Sequence, residues 1–455
     1  MLDVSSLARW SGPPVGIARV EHALATAVMR RPDAVLAFYD RATGSFRALR
    51  PEWQATVVGW SGLVEIPDDD PPRRGWRALL PGRKPAVTRL ERWRLTWPRP
   101  LAALADAAQR AILAVRSHGT PLRDASGQRI ARVPPDLAIG EVLRLSPADV
   151  VFAAGSGWTH LDMTALGRMK ARDGFRFATL CYDLIPLTHP RFWFPKTVEV
   201  VRAHWLAALP LADLVVVNAR CIAEDVRRFS AENGIVPPDT AVLPLGYDPP
   251  PRRAATAPLP SGLAAGRYAL FVSTIEPRKG HATLLQAWRG LLARGLPQRN
   301  GFRLVFVGRE GWMVEDVLRE LAEPALAGSV LHLTGIGEAA LDTLYEGAAF
   351  ILYPSAYEGF GLPIIEAFAR GKAVIASAGG AVPETAGGLA PCLPPGDAAA
   401  WEAVMADWIE NPGVRKSWEA CIRIAFTHPD WETAANGILD AVASAGSAQG
   451  RAKPQ

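Results

Sequence analysis

The sequence predicts an α/β protein built from two domains, each a doubly wound parallel sheet, and three observations lead there. The chain has 455 residues, too many for one ordinary core and enough for two domains of roughly 200 residues each. From about residue 149 onward, short apolar runs alternate with amphipathic stretches, the pattern of strands and helices in a parallel sheet. A run rich in Pro, Ala and Gly at residues 249–265 has no periodicity and reads as an interdomain linker. With 49% hydrophobic and 21% charged residues the composition is that of a globular chain, not a disordered one.

These observations divide the chain into a first domain over residues 1–254, a second over 255–430, and a closing helix and tail over 431–455. The predicted strands are the apolar runs Val150 to Ala154, Phe177 to Ile185, Leu214 to Val217, Ala241 to Leu245, Leu270 to Thr274, Leu304 to Val307, Val330 to Leu333, Phe350 to Tyr353 and Ala373 to Ala376. Each ends in small, Pro or charged residues, where α/β enzymes place binding loops. Around residues 415–443 the pattern turns helical through Trp418, Ile422, Trp431, Ala434 and Ile438. The last dozen residues read as a frayed tail.

Residues 60–130 do not read as sheet. Pro71, Pro72, Pro81, Pro85, Pro98 and Pro100 interrupt them, and Leu101 to Val115 suits one amphipathic helix. Residues 71–130 carry thirteen Lys or Arg against Glu91, Asp106 and Asp124, with Trp76, Trp93 and Trp97 interleaved. That imbalance predicts an acidic partner, here an anionic membrane surface; no nucleic-acid module accompanies the charge.

Cys181, Cys221, Cys392 and Cys421 form no CxxC pair, so they read as reduced thiols in a cytoplasmic protein. There is no basic segment followed by an apolar stretch at the N-terminus, and no run of ~18 apolar residues. The expectation is a protein without an export signal or a membrane span, at most peripheral on the inner face of the cytoplasmic membrane. The eight histidines are scattered, which predicts no metal site. Asp68, Asp69 and Asp70 sit between prolines with no strand before them and read as a solvated acidic loop. No metal or other cofactor is expected.

The richest segment is Phe350 to Ser377, whose order is strand, glycine-bearing loop, helix, strand. Gly359 and Gly361 let backbone approach a ligand, Pro363 suits a first helical turn, and Gly371 ends the helix. A helix N-terminus at a strand's C-terminal end favours anions. Glu358 and Glu366 repel a bare diphosphate but suit sugar hydroxyls; the plainer alternative is a solvated loop acid and a helix-dipole acid.

Here EGFGLPIIE (358–366) resembles the E-x7-E element of family 4 retaining glycosyltransferases. STIEPRKGH (273–281), FVGREGW (306–312), VLHLTGIGEAALDTLYEGA (330–348), AVPETAG (381–387) and HPDWETAA (428–435) extend the likeness. In the first half, DVSSLARWSGPPVGIARV (3–20) and YDLIPLTHP (182–190) resemble bacterial members that use GDP-mannose. The resemblance implies the GT-B fold, two Rossmann-like domains facing each other across a cleft, and retaining, metal-independent transfer of a hexose. Mannose from GDP-mannose is the leading donor, and the acceptor is a glycan or polyprenyl-linked saccharide of bacterial surface polysaccharide synthesis.

The resemblance also implies roles. Arg278 and Lys279 meet the donor diphosphate, and physics agrees, because fixed cations stabilise the charge that develops on a leaving phosphate. Glu358 takes the sugar hydroxyls and Glu366 the ribose. Gly308, Arg309, Gly335 and Ile336 line the nucleotide side, and the amides around Gly359, Phe360, Gly361 and Leu362 face the diphosphate. Gly16 and Ile17 sit in a turn that either closes over the donor sugar or is a plain turn. Asp183 is open between an acceptor-side role and a turn-capping acid, with Tyr182 beside it where many relatives have histidine. Ser273 and Thr274 stand where some relatives carry a further arginine. GSGW (155–158) is a cleft loop, with Trp158 packing. Two other functions share the architecture: a sugar-nucleotide epimerase, which needs no acceptor, and a non-catalytic protein that binds a nucleotide sugar.

Overall fold

The computed structural model describes residues 1–8, 16–41, 43–56, 58, 122–123, 129–130, 139–249 and 257–445. The acidic string Asp68–Asp70, the basic stretch 73–116 with its expected helix, the boundary near residue 255 and the terminal tail lie outside the described residues.

In chain order the first half forms β1 (Leu2–Asp3), β2 (Leu36–Asp40), β3 (Ser45–Leu49), β4 (Leu122–Arg123), β5 (Arg129–Ile130), β6 (Ile139–Val142), β7 (Val150–Ala153), β8 (Arg176–Cys181), β9 (Leu214–Val217) and β10 (Asp239–Val242). Eight of these make one sheet in the order β10-β9-β8-β7-β1-β2-β3-β6, parallel from β10 to β2 and antiparallel at the β2-β3-β6 edge. Among the described residues β4 and β5 pair only with each other, so the expectation of no sheet in residues 60–130 is corrected by a short antiparallel strand pair. The second half forms β11 (Tyr268–Val272), β12 (Arg303–Val307), β13 (Val330–Leu333), β14 (Phe350–Tyr353), β15 (Val374–Ser377) and β16 (Cys392–Leu393). Their order, β13-β12-β11-β14-β15-β16, is parallel throughout and reverses direction between β11 and β14. Crevices at such reversals, outside the carboxyl ends of the strands, are where open α/β sheets bind ligands.

All nine apolar runs coincide with or overlap strands, β7 through β15. Three are shifted: β10 lies at Asp239–Val242, β11 lies at Tyr268–Val272, and the run Phe177 to Ile185 divides into β8, a turn at Tyr182–Leu184, and a helix at Ile185–Thr188. The second-domain core gathers Trp288, Trp401, Trp408, Phe271 and Phe350 around β11 and β14. Among the described residues no helix is long and apolar enough to cross a membrane.

The closing helix, Trp431–Ser444, begins on Asp430, whose carboxylate accepts from Thr433 N. It does not stand apart as a tail. Ala435, Ile438, Leu439 and Val442 recur at helical spacing and share one core with Leu24, Val28, Phe152, Leu180 and Val216 of the first domain. Arg30–Glu432 and Arg31–Asp440, each 2.6 Å, rim that contact. Exposed pairs of this kind add little, so the buried face holds the helix there.

Candidate functional site

The loops after β11 and β14 meet at the reversal of the second sheet. After β11 the chain makes a tight turn at Pro277–Lys279 and passes through Gly280, φ +81°, into the helix His281–Ala293. A Cβ on Gly280 would lie 2.4 Å from Pro354 O, so glycine is what lets the two loops touch. Ala356 N then donates to Arg278 O at 2.7 Å.

That contact brings Arg278, Lys279 and Glu358 together, the three residues expected to be catalytic. Arg278 Nη1 lies 2.7 Å from Glu358 Oε2 and donates to Tyr357 O at 3.1 Å, while Lys279 Nζ lies 2.5 Å from Glu358 Oε1. Arg278 Nε lies 2.8 Å from Glu276 Oε1, and Glu276 is buried. Burial alone would raise the Glu358 carboxyl, but Arg278 and Lys279 overcome it and hold it down at about 2. Glu276 and Asp183 move the other way: burial raises both, and Arg278 offsets only part of it. Two fixed cations are therefore shared among three carboxylates, a charge-dense site in a low-dielectric setting.

Glu366 occupies a neighbouring network. From the helix Leu362–Ala369 its Oε2 accepts from Tyr345 OH at 3.1 Å, and its Oε1 lies 3.4 Å from Arg19 Nη1 of the first domain. Arg370 braces this side, donating to Tyr247 OH and Glu366 O, each at 2.8 Å, pairing with Asp342, and lying over the Tyr345 ring. Sequence reasoning assigned no role to Glu276, Tyr345, Arg370 or Asp342. Glu276 sits inside STIEPRKGH, so its place beside Arg278 was the one signal available.

A Cβ on Gly359 would fall 2.3 Å from Tyr182 O and 3.1 Å from the Asp183 Cβ, so the first domain closes directly on this loop. Phe360 and Leu362 send their side chains into the first-domain core, and Phe360 O accepts from Thr385 Oγ1 at 2.6 Å. What they can offer a ligand is backbone. Gly361 opens the Leu362–Ala369 helix. Asp183 caps, with Oδ1 accepting from Ile185 N at 3.0 Å, and also faces Arg278. Tyr182 OH donates to Ala154 O at 2.6 Å. Gly308 N donates to Leu333 O at 3.0 Å, and Arg309 is exposed, with its carbonyl accepting from Ile275 N. Gly335 turns the chain after β13, and Ile336 packs on the second-domain core. Gly16 is an exposed turn at the start of the Ile17–Val28 helix; the loop before it lies outside the described residues. Trp158 packs edge-on against His204.

Residues 264–425 match the family model of glycosyl transferases group 1. That match lies wholly within the second domain. Over 258 residues the chain is 30% identical to the serotype-specific mannosyltransferase WbdA of Escherichia coli, covering 53% of this chain and 31% of that protein. Over 173 residues it is 34% identical to the O-antigen chain mannosyltransferase B of Escherichia coli, covering 35% of this chain and 44% of that protein. The chain thus spans less than half the length of either relative. Among solved structures, Anabaena Alr3699/HepE in complex with UDP and glucose superposes with a TM-score of 0.50 at 20% identity, over 65% of this chain and 78% of that one. TarM does so with a TM-score of 0.50 at 13% identity, over 67% and 55%. These likenesses are of fold, and the fold is GT-B.

Glu276, Arg278, Lys279, Glu358 and Glu366 all fall within the group 1 match. The first domain contributes by docking on it. Glu384 of the second domain caps the first-domain helix Arg220–Glu232, accepting from Arg220 N at 2.9 Å and Cys221 N at 2.8 Å. Tyr357 OH donates to the buried Asp225 at 2.6 Å. A carboxylate at a helix N-terminus is favoured by the orphan amides and the helix dipole, so Glu384 holds the first domain there, and the Tyr357–Asp225 hydrogen bond adds a second tie between the domains.

Proposed function

We propose that this protein is a retaining glycosyltransferase that moves a hexose from a nucleotide sugar to a glycan or polyprenyl-linked saccharide in bacterial surface polysaccharide synthesis. The observation that carries the reading is the pair of fixed cations, Arg278 and Lys279, held by Glu358 and Glu276 at the sheet reversal of a group 1 domain. Departure of a nucleoside diphosphate develops negative charge, and preorganised cations in a water-poor cleft lower that barrier more than they stabilise the bound donor. Glu358 directs the sugar, Glu366 the ribose, and the leaving phosphate takes the acceptor's proton on the same face. Because the two side chains meet the phosphate charge, transfer proceeds without a divalent cation, and EDTA should leave the rate unchanged. The mannosyltransferase names of the two relatives support GDP-mannose as the donor.

The test is a thermal-shift panel of GDP-, UDP-, ADP- and TDP-sugars, followed by transfer with the donor that binds. A donor at 100 times its Kd should add ~2.7 kcal/mol of stability. Proton NMR of the product's anomeric signal should show the donor's configuration retained. Inversion would overturn the mechanism, and conversion of the nucleotide sugar without any acceptor would point to an epimerase.

The enzyme is proposed to work on the cytoplasmic side of the membrane, with the basic, Trp-rich stretch 73–116 as its contact. Co-sedimentation should require anionic liposomes and fall steeply with salt, since each basic residue contributes ~1 kcal/mol near such a surface. Equal binding to neutral liposomes would remove this placement.

A further inference from the structure

Beside Glu358, two loops from opposite domains form an aromatic wall at the mouth of the cleft. From the first domain comes the segment 189–194; from the second comes the loop after β12. Trp193 and Trp312 face each other with ring centroids 4.8 Å apart, and Trp312 Nε1 donates to Phe192 O at 2.8 Å. His189 stacks on Phe192 and lies 4.6 Å from the Tyr357 ring, with the Arg191 guanidinium 4.7 Å over Phe192.

The wall is anchored to the charge site at both ends. Tyr357 directly precedes Glu358, and its carbonyl accepts from Arg278. The Trp312 loop is pinned by Gly311 N donating to Ile275 O at 2.9 Å, one residue before Glu276. From there the wall runs outward to Phe194 and Met313, which are 54% and 44% exposed.

Three features distinguish this wall from ordinary interdomain packing. Met313 has φ +53°, the one positive φ on a non-glycine residue among those described, and such strain persists where the surroundings hold it for a purpose. Trp193 Nε1 is buried with no hydrogen-bond partner, although a buried indole N–H normally finds one. Large aromatic and apolar side chains remain exposed at a cleft whose inner end is a reaction site.

We propose that the Trp193–Trp312 wall is an acceptor subsite that takes a pyranose ring of a glycan chain, at least one residue removed from the hydroxyl that is glycosylated. The proposal rests on the glycosyltransferase reading. A pyranose has an apolar C–H face that stacks on indole and a rim of hydroxyls that needs donors and acceptors. The wall supplies the rings, and Arg191, 4.7 Å over the Phe192 ring, supplies a polar partner. A lipid chain fits less well, because the Arg191 guanidinium lies against the rings and the surface is a seam between two domains instead of a continuous apolar face.

The experiment uses the full chain with tetrasaccharides of mannose, glucose, galactose and N-acetylglucosamine, and with the methyl monosaccharides as short probes. Binding is read by saturation-transfer NMR, which requires no turnover, and transfer is read separately as acceptor KM and kcat. At least one tetrasaccharide should bind the wild type better than its monosaccharide. Trp193→Ala and Trp312→Ala should raise that tetrasaccharide's KM about tenfold or more, leave donor affinity and kcat near wild type, and erase the preference for the longer probe. Phe at either position should restore most of the binding. Phe194→Ala, at an exposed site that does not disturb folding, should act in the same direction by a smaller factor. Unchanged tetrasaccharide binding in all three alanine variants overturns the proposal. So does failure of every tetrasaccharide to bind, or loss of anionic-vesicle binding as the only effect of the substitutions. Failure of transfer with tetrasaccharide binding intact at the wall would count against the glycosyltransferase reading while leaving the subsite standing.

Discussion

Arg278→Ala should lower kcat/KM by about 10² or more and also destabilise the fold, whereas Lys279→Ala should lower activity comparably with a smaller loss of stability. The activity loss follows from removing one preorganised charge contact to the leaving diphosphate. The stability difference follows from who is left behind. Arg278 lies within ion-pair distance of both Glu276 and Glu358, whose side chains are only 4% and 8% exposed. Removing it strands buried negative charge, for which about 3–5 kcal/mol is the usual cost. When Lys279 is removed, Glu358 keeps Arg278. Arg278→Lys should recover part of the stability but not the activity, because an ammonium cannot span Glu276 and Glu358 as the guanidinium fork does. Single-turnover rates and denaturant midpoints separate the two effects. If both alanine variants keep near wild-type activity, the diphosphate lies elsewhere.

Much of this site is readable along the chain because its charged members fall in two short motifs that each follow a buried parallel strand. Strands β7 to β15 are legible for the same reason: most are buried on both faces, so they read as unbroken apolar runs. β1 is only two residues long, and β2, β3 and β6 form the antiparallel edge, where half-exposed strands such as SFRAL mix polar with apolar residues. β1, β3 and β6 offer no continuous run to detect, whereas AVLAFY (34–39) does run into β2 and was missed. What connects distant segments is hidden in the same way. The spacing of Ala434 and Ile438 predicts a helix, but nothing local says that its apolar face packs on the first domain. Nor does Glu384 in AVPETAG announce that it caps a helix more than 150 residues earlier. Asp183 was open between two roles, and the geometry shows its side chain capping a turn while facing the cations of the other domain.

Glu358→Gln should slow transfer by about 10² while leaving nucleoside diphosphate affinity unchanged or increased, and Glu366→Ala should do the reverse. Glu358 is the anion that both cations hold, so a donor diphosphate competes with it for Arg278 and Lys279. Removing its charge frees those cations for phosphate but deprives the reacting sugar of its carboxylate. Glu366 touches neither cation; its partners are Tyr345 and Arg19, so its loss weakens donor binding without disarming the diphosphate site. The pH dependence gives an independent check. Glu358 is held at about 2 in the fold against an ordinary value of 4.5. A depressed carboxyl contributes stability that is fully present above about pH 4.5 and is lost as the pH falls toward 2, a contribution of about 3 kcal/mol. Glu276 and Asp183, raised by burial, have the opposite sign, and their gain comes at higher pH, above about 4.5 and 3.8 respectively, where the folded state takes up protons before the unfolded one. Glu358→Gln should therefore be less stable than wild type at pH 7, yet lose less stability between pH 4.5 and 2. Denaturation midpoints across that range, read beside isothermal titration of the diphosphate, decide the matter. A variant that loses diphosphate affinity along with rate, and keeps the wild-type acid slope, would show that Glu358 binds the donor and does not poise the two cations.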